Sequence, residues 1–199
     1  TQRTSSAASD VYKRQDPRPS AGDVIASTSF ENATGGWTEF GSTVEITDDQ
    51  SLSGQKSLFT TDRTANWHSP RIVLNNLLIQ GETYTFYVWV KLPEGETGTA
   101  QLTIKDTDLN EYYNLTDTVE IFSDEWTLLS ANFTHNISDN FFFYVKGPVV
   151  QGGAGADYYI DDFSLVPEGS SPVNFETNNN ILDIGAYEYI DPSMSIIDY

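Results

Sequence analysis

Short segments of alternating apolar and polar residues dominate the chain between positions 24 and 166. Glycine, proline, asparagine and aspartate separate these segments, which recur about every 8 to 15 residues. This spacing, without a capped helical stretch, predicts an all-β fold, an antiparallel β-sandwich. We predict strands at 24–30, 42–48, 57–61, 83–92, 100–105, 111–121, 126–134, 141–146 and 157–166. A helix-like patch at 72–79 is too short to change this class.

The clearest of these segments begins at Thr83. Its core face consists of alternating apolar residues: Tyr84, Phe86, Val88, Val90 and Leu92. The opposite face carries two large aromatic residues, Tyr87 and Trp89. That arrangement indicates either a covering loop or a concave face open to a ligand.

The two ends of the chain differ from its centre. Residues 1–23 are polar and contain proline, which is typical of a leader or linker. Within them, residues 10–15 resemble the translation of a sequencing-library adapter, so we expect part of this segment to be artefactual. The chain starts at Thr1 without a signal peptide, and we expect that an export signal has been lost.

Residues 168–199 begin as a linker rich in glycine, serine and proline. Further on, residues 181–190 alternate like a strand and resemble the closing segment of bacterial β-helix surface proteins. Such a tail could pair with a sheet of its own chain, form a packing contact of the kind seen in crystals, or pair with the open edge of a sheet in a neighbouring copy. We therefore expect a leader at 1–23, a sandwich at 24–167, and a linker with a strand-forming tail at 168–199.

The charge balance excludes several partners. The chain holds 10 Lys and Arg against 29 Asp and Glu, a net charge of -19. Such an acidic surface repels phosphate backbones and anionic lipids, so we expect no nucleic acid partner and no membrane insertion. Cysteine is absent from the sequence, which excludes disulfides and thiol nucleophiles.

Candidate catalytic residues are few. His68 and His135 are the two histidines, and neither has the spacing of a nucleophile or metal motif. Adjacent acids such as Asp48-Asp49 point to opposite faces of a strand, so they cannot form a glycosidase pair. We predict that this chain is not an enzyme.

Eight short motifs follow one another in the order seen in a known family. They are Phe30-Glu31-Asn32, Gly36-Trp37, Ser53-Gly54-Gln55-Lys56-Ser57-Leu58, Arg63-Thr64-Ala65-Asn66-Trp67-His68-Ser69-Pro70, Gly81-Glu82-Thr83-Tyr84, Trp89-Val90-Lys91, Trp126-Thr127 and Tyr159-Ile160-Asp161-Asp162-Phe163-Ser164-Leu165. Residues 24–167 thereby resemble the jelly-roll carbohydrate-binding modules attached to bacterial xylanases and cellulases. The resemblance implies a galactose-binding-like jelly roll, a polysaccharide ligand and an extracellular location.

The resemblance also implies an aromatic platform for the sugar. Trp67, in the Arg-Thr-x-x-Trp motif, corresponds to a residue that stacks on the ligand, although packing over a sandwich edge is the alternative. Arg63, Asn66 or Gln101 could bind sugar hydroxyls. Lys146 stands where xylan-binding members often carry an acid, so it replaces an acceptor with a donor.

Four further aromatic residues are candidates for the ligand site. Tyr112 and Tyr113 are neighbours on a strand and must point to opposite faces, so one is expected in the core and the other on a platform. Tyr87 and Trp89 share one face and either line the same cleft as Trp67 or pack in the interior.

The resemblance further implies a structural Ca²⁺ ion. Glu31, Asp161 and the turn from Ser53 to Lys56 correspond to its ligands. Uninterrupted alternation puts Asp161 on the same side as the core residues Phe163 and Leu165, where a carboxylate must be paired or bound to a cation. Oxygen ligands suit Ca²⁺, and the alternative is an ion pair with Lys or Arg.

Two hypotheses for function remain open at this stage. The first is a non-catalytic module that binds polysaccharide by aromatic stacking. The second is a structural subunit of an extracellular filament, in which a terminal segment adds a strand to the neighbouring copy. Sequons for glycosylation occur at Asn32, Asn114, Asn132 and Asn136, a number close to chance.

Overall fold

The computed structural model describes residues 23–150 and 155–175. Twelve strands form in this part of the chain. They are β1 (Ala26–Thr28), β2 (Trp37–Phe40), β3 (Thr43–Thr47), β4 (Ser57–Thr61), β5 (Ser69–Val73), β6 (Thr83–Lys91), β7 (Thr97–Asp106), β8 (Glu111–Asn114), β9 (Val119–Phe122), β10 (Thr127–Thr134), β11 (Phe141–Val150) and β12 (Tyr158–Pro167). Among the described residues there is no helix with the length and apolarity needed to span a membrane. The predicted strand at 181–190 lies outside these residues.

The strands form two antiparallel sheets, which confirms the predicted sandwich. The first sheet has the order β10-β6-β12-β4-β3, with β1 paired to β12. The second sheet has the order β2-β5-β11-β7-β8, with β9 paired to β7. Strand β1 lies beside β12, where Ala26 stands opposite Leu165, so the beginning and end of the sandwich are neighbours in one sheet.

Aromatic rings fill the core between the sheets. Trp37 of β2 contacts Phe163 of β12 edge-on, with 5.2 Å between ring centroids. Phe143 of β11 stacks on Phe86 of β6 at 4.5 Å, which joins the two sheets. The five alternating side chains predicted for the core, from Tyr84 to Leu92, are each at most 1% exposed. That part of the prediction is confirmed.

Two strands of the second sheet, β2 and β5, are missing from the predicted elements. Pro70 argues against a strand at β5 in the sequence, because proline is expected only at sheet edges and bulges. The helix-like patch at 72–79 begins inside β5 and continues into a turn, where Asn76 has a φ of 58°. The predicted strand at 111–121 is two strands, β8 and β9, which both pair with β7.

A bulge in β12 interrupts the predicted alternation. Asp161 stands opposite Trp89, and the register then shifts so that Asp162 and Phe163 together face Val88. Asp162 has a φ of 46° at this point. Asp161 therefore lies on the outer face of the first sheet, whereas Phe163 points into the core. The expected placement of Asp161 on the core side is wrong for this reason.

Candidate functional site

A cleft of about 390 Å³ opens on the outer face of the second sheet. Its lining residues are Asn66, Trp67, Tyr112, Tyr144 and Lys146. Trp67 and Tyr112 are 45% and 52% exposed. Because large aromatic side chains are rarely exposed side by side without a role in binding, this cleft is the candidate ligand site.

A continuous row of aromatic rings supports Trp67. Phe40 of β2 lies 5.5 Å from Trp67, 5.0 Å from Phe142 and 5.9 Å from Tyr144, measured between ring centroids. Phe142 and Tyr144 occupy successive outward positions of β11. Sequence reasoning missed Phe40 because β2 is not among the predicted strands. It missed Phe142 because residues 141–145 are all apolar or aromatic and show no alternation that would separate the two faces.

Arg63 anchors the loop that carries Trp67. The side chain is only 6% exposed and lies over the ring of Tyr158 at 4.7 Å. Its guanidinium donates to five backbone carbonyls, those of Asn66, His68, Gly147, Pro148 and Ala156. Burial lowers the pKa of Arg63, and the Tyr158 phenol opposes that effect. Arg63 lies beneath the cleft, so the interpretation of Arg63 as a sugar contact does not fit its position.

Polar groups lie beside the aromatic surface. Burial raises the pKa of Tyr144 to about 12, and Tyr112 adds to this effect while Thr103 opposes it. Tyr144 is therefore a neutral phenol at physiological pH. Asn66 is exposed, and its carbonyl oxygen accepts a hydrogen bond from Gly147 N–H at 2.7 Å, which joins the loop to β11 beside Lys146. These groups can bind the hydroxyls of a ligand that stacks on Trp67 and Tyr112.

Gln101 stands opposite Lys146 in the register between β7 and β11. Its side-chain amide donates to the backbone oxygen of Thr116 at 2.8 Å. Gln101 therefore braces the turn after β8, and its amide nitrogen already has a partner.

Tyr113 and Tyr112 lie on opposite faces of β8, as predicted for adjacent residues of a strand. Tyr113 stands opposite the core residue Ile104 but is only half-buried, because β8 is an edge strand. Its hydroxyl donates to Glu111 at 2.6 Å. Tyr112 is thus the member of the pair that reaches the cleft.

Tyr87 and Trp89 lie on the outer face of the other sheet. The Tyr87 hydroxyl donates to the Ser170 carbonyl at 3.1 Å. Trp89 lines a separate cavity of about 450 Å³, together with Leu52 and residues 171–175. The linker after β12 therefore covers this face. The hypothesis that Tyr87 and Trp89 share a cleft with Trp67 is wrong, because the two sets occupy outer faces of opposite sheets.

The residues expected to bind calcium surround one turn, at positions 52–56. Glu31 Oε1 accepts hydrogen bonds from the backbone N–H groups of Gln55 and Lys56, both at 2.8 Å. The Lys56 ammonium donates to the Glu31 carbonyl oxygen at 3.2 Å. The turn passes so close to Glu31 that a Cβ on Gly54 would lie 2.3 Å from Oε1.

Asp161 binds the other end of this turn. Its Oδ2 accepts from the N–H groups of Leu52 at 2.8 Å and Ser53 at 3.4 Å. The Ser53 hydroxyl donates to Asp162 Oδ1 at 2.7 Å. Glu31, Ser53, Lys56 and Asp161 are thus brought together, although they come from three separate parts of the chain.

Asp161 is the buried carboxyl group that a cation at this turn would stabilise in its ionised form. Asp161 is fully buried; its burial and the neighbouring Asp162 raise its pKa to about 8, although three backbone N–H groups lower it. Neither Lys nor Arg forms an ion pair with Asp161 within the described residues, so the alternative predicted for it is not found there. Those residues also contain no group of three or more His, Cys, Asp or Glu placed to hold a metal. A Ca²⁺ ion here would therefore need hydroxyl or carbonyl oxygens of the turn in addition to the carboxylates.

All four asparagines of the predicted sequons are exposed: Asn32, Asn114, Asn132 and Asn136. Asn114 shares the outer face of β8 with Tyr112, and its Oδ1 accepts a hydrogen bond from Thr103 at 3.2 Å. Glycosylation at these positions stays a prediction.

Residues 22–151 match the model of a family described as a carbohydrate binding domain. The chain is similar to endo-1,4-beta-xylanase A of Thermoanaerobacterium saccharolyticum, with 35% identity over 154 residues that cover 75% of this chain and 13% of that protein. Endo-1,4-beta-xylanase A of Thermotoga neapolitana is 29% identical over 172 residues, or 81% of this chain and 16% of that protein. Among solved structures, the CBM22-1 xylan-binding domain from Paenibacillus barcinonensis Xyn10C has a TM-score of 0.69 and 26% identity over 77% of this chain and 100% of that one.

The chain spans less than a fifth of either xylanase, so the activities of those enzymes belong to far longer proteins. The matches give no support to the filament hypothesis, whose proposed tail strand lies outside the described residues. They confirm the resemblance found in the sequence motifs and the sandwich fold. Because the family model covers more than half of the chain, this protein belongs to the family described as a carbohydrate binding domain, and it has the β-sandwich fold of the domain that it resembles.

Proposed function

We propose that the cleft between Trp67 and Tyr112 binds a xylan-type polysaccharide by stacking pyranose rings on these two side chains. The observation that carries the proposal is their exposure, 45% and 52%, on one cleft that also holds polar groups. The C–H face of a pyranose covers an aromatic ring, and its hydroxyls then meet Asn66, Tyr144 and Lys146 at the cleft wall. The choice of xylan is supported by the two xylanases and the xylan-binding domain that this chain resembles.

Two platforms support only weak binding to a single sugar. Covering about 60–80 Å² of apolar area on each ring contributes about 1.5–2 kcal/mol. Two rings therefore contribute roughly 3–4 kcal/mol, which corresponds to a millimolar dissociation constant before hydrogen bonds are added. Useful affinity then needs several sugar units along the cleft, or several modules on one chain.

Adjacent tyrosines on β8 provide a matched test. In affinity electrophoresis through a gel that contains xylan, we expect Trp67→Ala and Tyr112→Ala to lose about tenfold in affinity. Tyr113→Ala removes the same side chain from the opposite face and should be retarded like the wild type. Thermal melting of each variant confirms folding. Equal retardation of the Tyr112→Ala and Tyr113→Ala variants would contradict the proposal.

The module is proposed to act without catalysis, outside the cell, as one part of a longer protein. Support comes from the small share of each xylanase that it matches, and from a cleft lined by aromatic, amide and ammonium groups. Paired carboxylates would be needed on either side of a scissile bond for glycoside hydrolysis. Release of reducing sugar from xylan by the purified chain would overturn this part of the proposal.

A structural calcium ion is also proposed, at the turn of residues 52–56. Glu31 and Asp161 would supply carboxylate oxygens, and Ser53 and Lys56 would supply oxygens of the turn. The ion would add positive charge beside a carboxylate that is fully buried. Its role would be to hold the strands around the turn together.

A further inference from the structure

Half of the basic residues in the described part of this acidic protein lie on one face. Four of its ten Lys and Arg residues lie in the first 18 positions, which leaves six: Lys56, Arg63, Arg71, Lys91, Lys105 and Lys146. Three of these six belong to the outer face of the second sheet. Lys146 lines the ligand cleft, Lys105 lies over the Tyr112 ring at 5.0 Å, and Arg71 stands opposite Tyr144 in the register.

The three bases elsewhere already have polar partners. Arg63 donates to five backbone carbonyls beneath the cleft. The Lys56 ammonium donates to the Glu31 carbonyl at 3.2 Å, and the Lys91 ammonium donates to Gln50 at 2.9 Å. Each of these three side chains therefore already donates hydrogen bonds within the folded chain.

The three bases of the cleft face differ in this respect. Within the described residues, the side chains of Arg71, Lys105 and Lys146 form neither a hydrogen bond nor an ion pair. Arg71 lies over the rings of Phe40 and Phe142, at 5.1 and 4.9 Å, and its Nε is buried without a hydrogen-bond partner. These three bases put positive charge on the face that holds the cleft, in a chain with 29 acids, and each contributes to a positive local field there.

We propose that this field selects a polysaccharide that carries carboxylates, namely a xylan with uronic acid side groups. Lys146 shares the cleft with both stacking residues, so it is the residue that contacts the carboxylate. Lys105 and Arg71 lie further along the same face and add to the attraction. The inference rests on the proposed xylan binding and specifies the form of xylan.

Calorimetric titration with three polymers tests the proposal on the intact chain. The polymers are glucuronoxylan, the same glucuronoxylan after its carboxyl groups have been reduced to alcohols, and polygalacturonate. We expect glucuronoxylan to bind about three- to fivefold tighter than the reduced polymer. That advantage should disappear at high salt, since exposed ion pairs are screened. Polygalacturonate, whose backbone lacks xylose, should bind most weakly.

A pair of lysine variants assigns the preference to one residue. Lys146→Met should lose the preference and bind the two xylans with equal affinity, because only the wild type has the ammonium that meets the carboxylate. Lys91→Met makes the same change of charge on the first sheet and should keep the preference. Equal binding of the two xylans by the wild type, tightest binding of polygalacturonate, or a preference that survives in Lys146→Met would each overturn the inference and leave xylan binding standing. Binding of neither xylan would overturn the proposed function as well.

Discussion

Glu31 and Asp161 bind opposite ends of one turn, at residues 52–56. Glu31 follows β1, and Asp161 lies on β12, so this turn connects the first and last strands of the sandwich. The residue beside each acid has a left-handed backbone, with a φ of 60° at Phe30 and 46° at Asp162. Such conformations are costly for residues other than glycine, and the surrounding structure must hold them in place. The turn is therefore a point on which the closure of the sandwich depends.

Removal of the proposed calcium ion tests whether the turn at residues 52–56 stabilises the connection between the first and last strands. We expect a chelator to lower the melting temperature by about 5 °C or more, because an ion that binds only the folded state stabilises it in proportion to its occupancy. Added Ca²⁺ should restore the original value. Glu31→Gln keeps the size of the side chain and removes its charge, so this variant should melt lower and respond less to the chelator. A wild-type melting temperature that a chelator leaves unchanged would rule out the ion.

The alternation in the sequence was sufficient to predict the sandwich, and the family resemblance implied that Glu31 and Asp161 lie at one turn. The alternation from Tyr84 to Leu92 identifies a core strand without ambiguity. The alternation does not show which sheet the strand joins, because it distinguishes the two faces of a strand and does not identify the adjacent strands. For that reason the pattern could not place Trp89 on the sheet opposite Trp67.

Two further features of the site depend on contacts between distant residues. The bulge in β12 occurs at Asp162, without a glycine to mark it, so the sequence shows unbroken alternation there. Arg63 lies in the same motif as Trp67, which favours a common role, yet three of its five carbonyl partners lie far along the chain, at positions 147, 148 and 156. Only the folded chain brings those carbonyls to Arg63.

Acid stability should depend on Asp106, which is fully buried between two loops. Burial raises its pKa, but hydrogen bonds from Leu109, Ser138 and Asp108 outweigh burial, and the pKa is lowered overall. A group with a lower pKa in the folded than in the unfolded state stabilises the fold above about pH 4, and this contribution is lost as the pH falls through the folded pKa. We expect Asp106→Asn to reduce the free energy of unfolding by about 2 kcal/mol at pH 7.

Urea unfolding at a series of pH values measures this effect. The difference between the wild type and Asp106→Asn should shrink below about pH 4, where the wild type loses the ionised carboxylate. Asp124→Asn makes the same change of charge at an exposed residue and should follow the wild type at every pH. A difference that stays constant through acidic pH would show that the charge of Asp106 does not stabilise the fold.

Alanine substitutions at two glycines test whether the His68 ring holds Trp67 in place. A Cβ on Gly41 would lie 2.5 Å from the His68 ring, and that ring contacts Trp67 edge-on at 4.1 Å. Gly95 has a similar left-handed backbone, with a φ of 83° against 73°, and has nothing within 4 Å of the corresponding position. Gly95→Ala should therefore cost about 1 kcal/mol of stability and leave xylan binding unchanged.

Gly41→Ala carries the same backbone cost and also displaces His68. We expect it to lose more stability than Gly95→Ala and to weaken xylan binding several-fold, because Trp67 loses the ring that holds its orientation. Calorimetry with a xylo-oligosaccharide and thermal melting of both variants provide the comparison. Wild-type affinity in Gly41→Ala would mean that His68 does not position Trp67.

The Arg63→Lys variant tests whether Arg63 anchors the Trp67 loop or contacts the ligand directly. Lysine keeps the charge but cannot reach the carbonyls that surround the guanidinium, so we expect a loss of about 3 kcal/mol in the free energy of unfolding. The Trp67 loop then loses its anchor, and binding of neutral and carboxylated xylan should fall by the same factor. Lys146→Met, by contrast, should weaken binding of the carboxylated polymer more than binding of the neutral one. If Arg63→Lys kept its stability and lost binding, Arg63 would have to contact the sugar, and the buried position seen here would not be the one that binds.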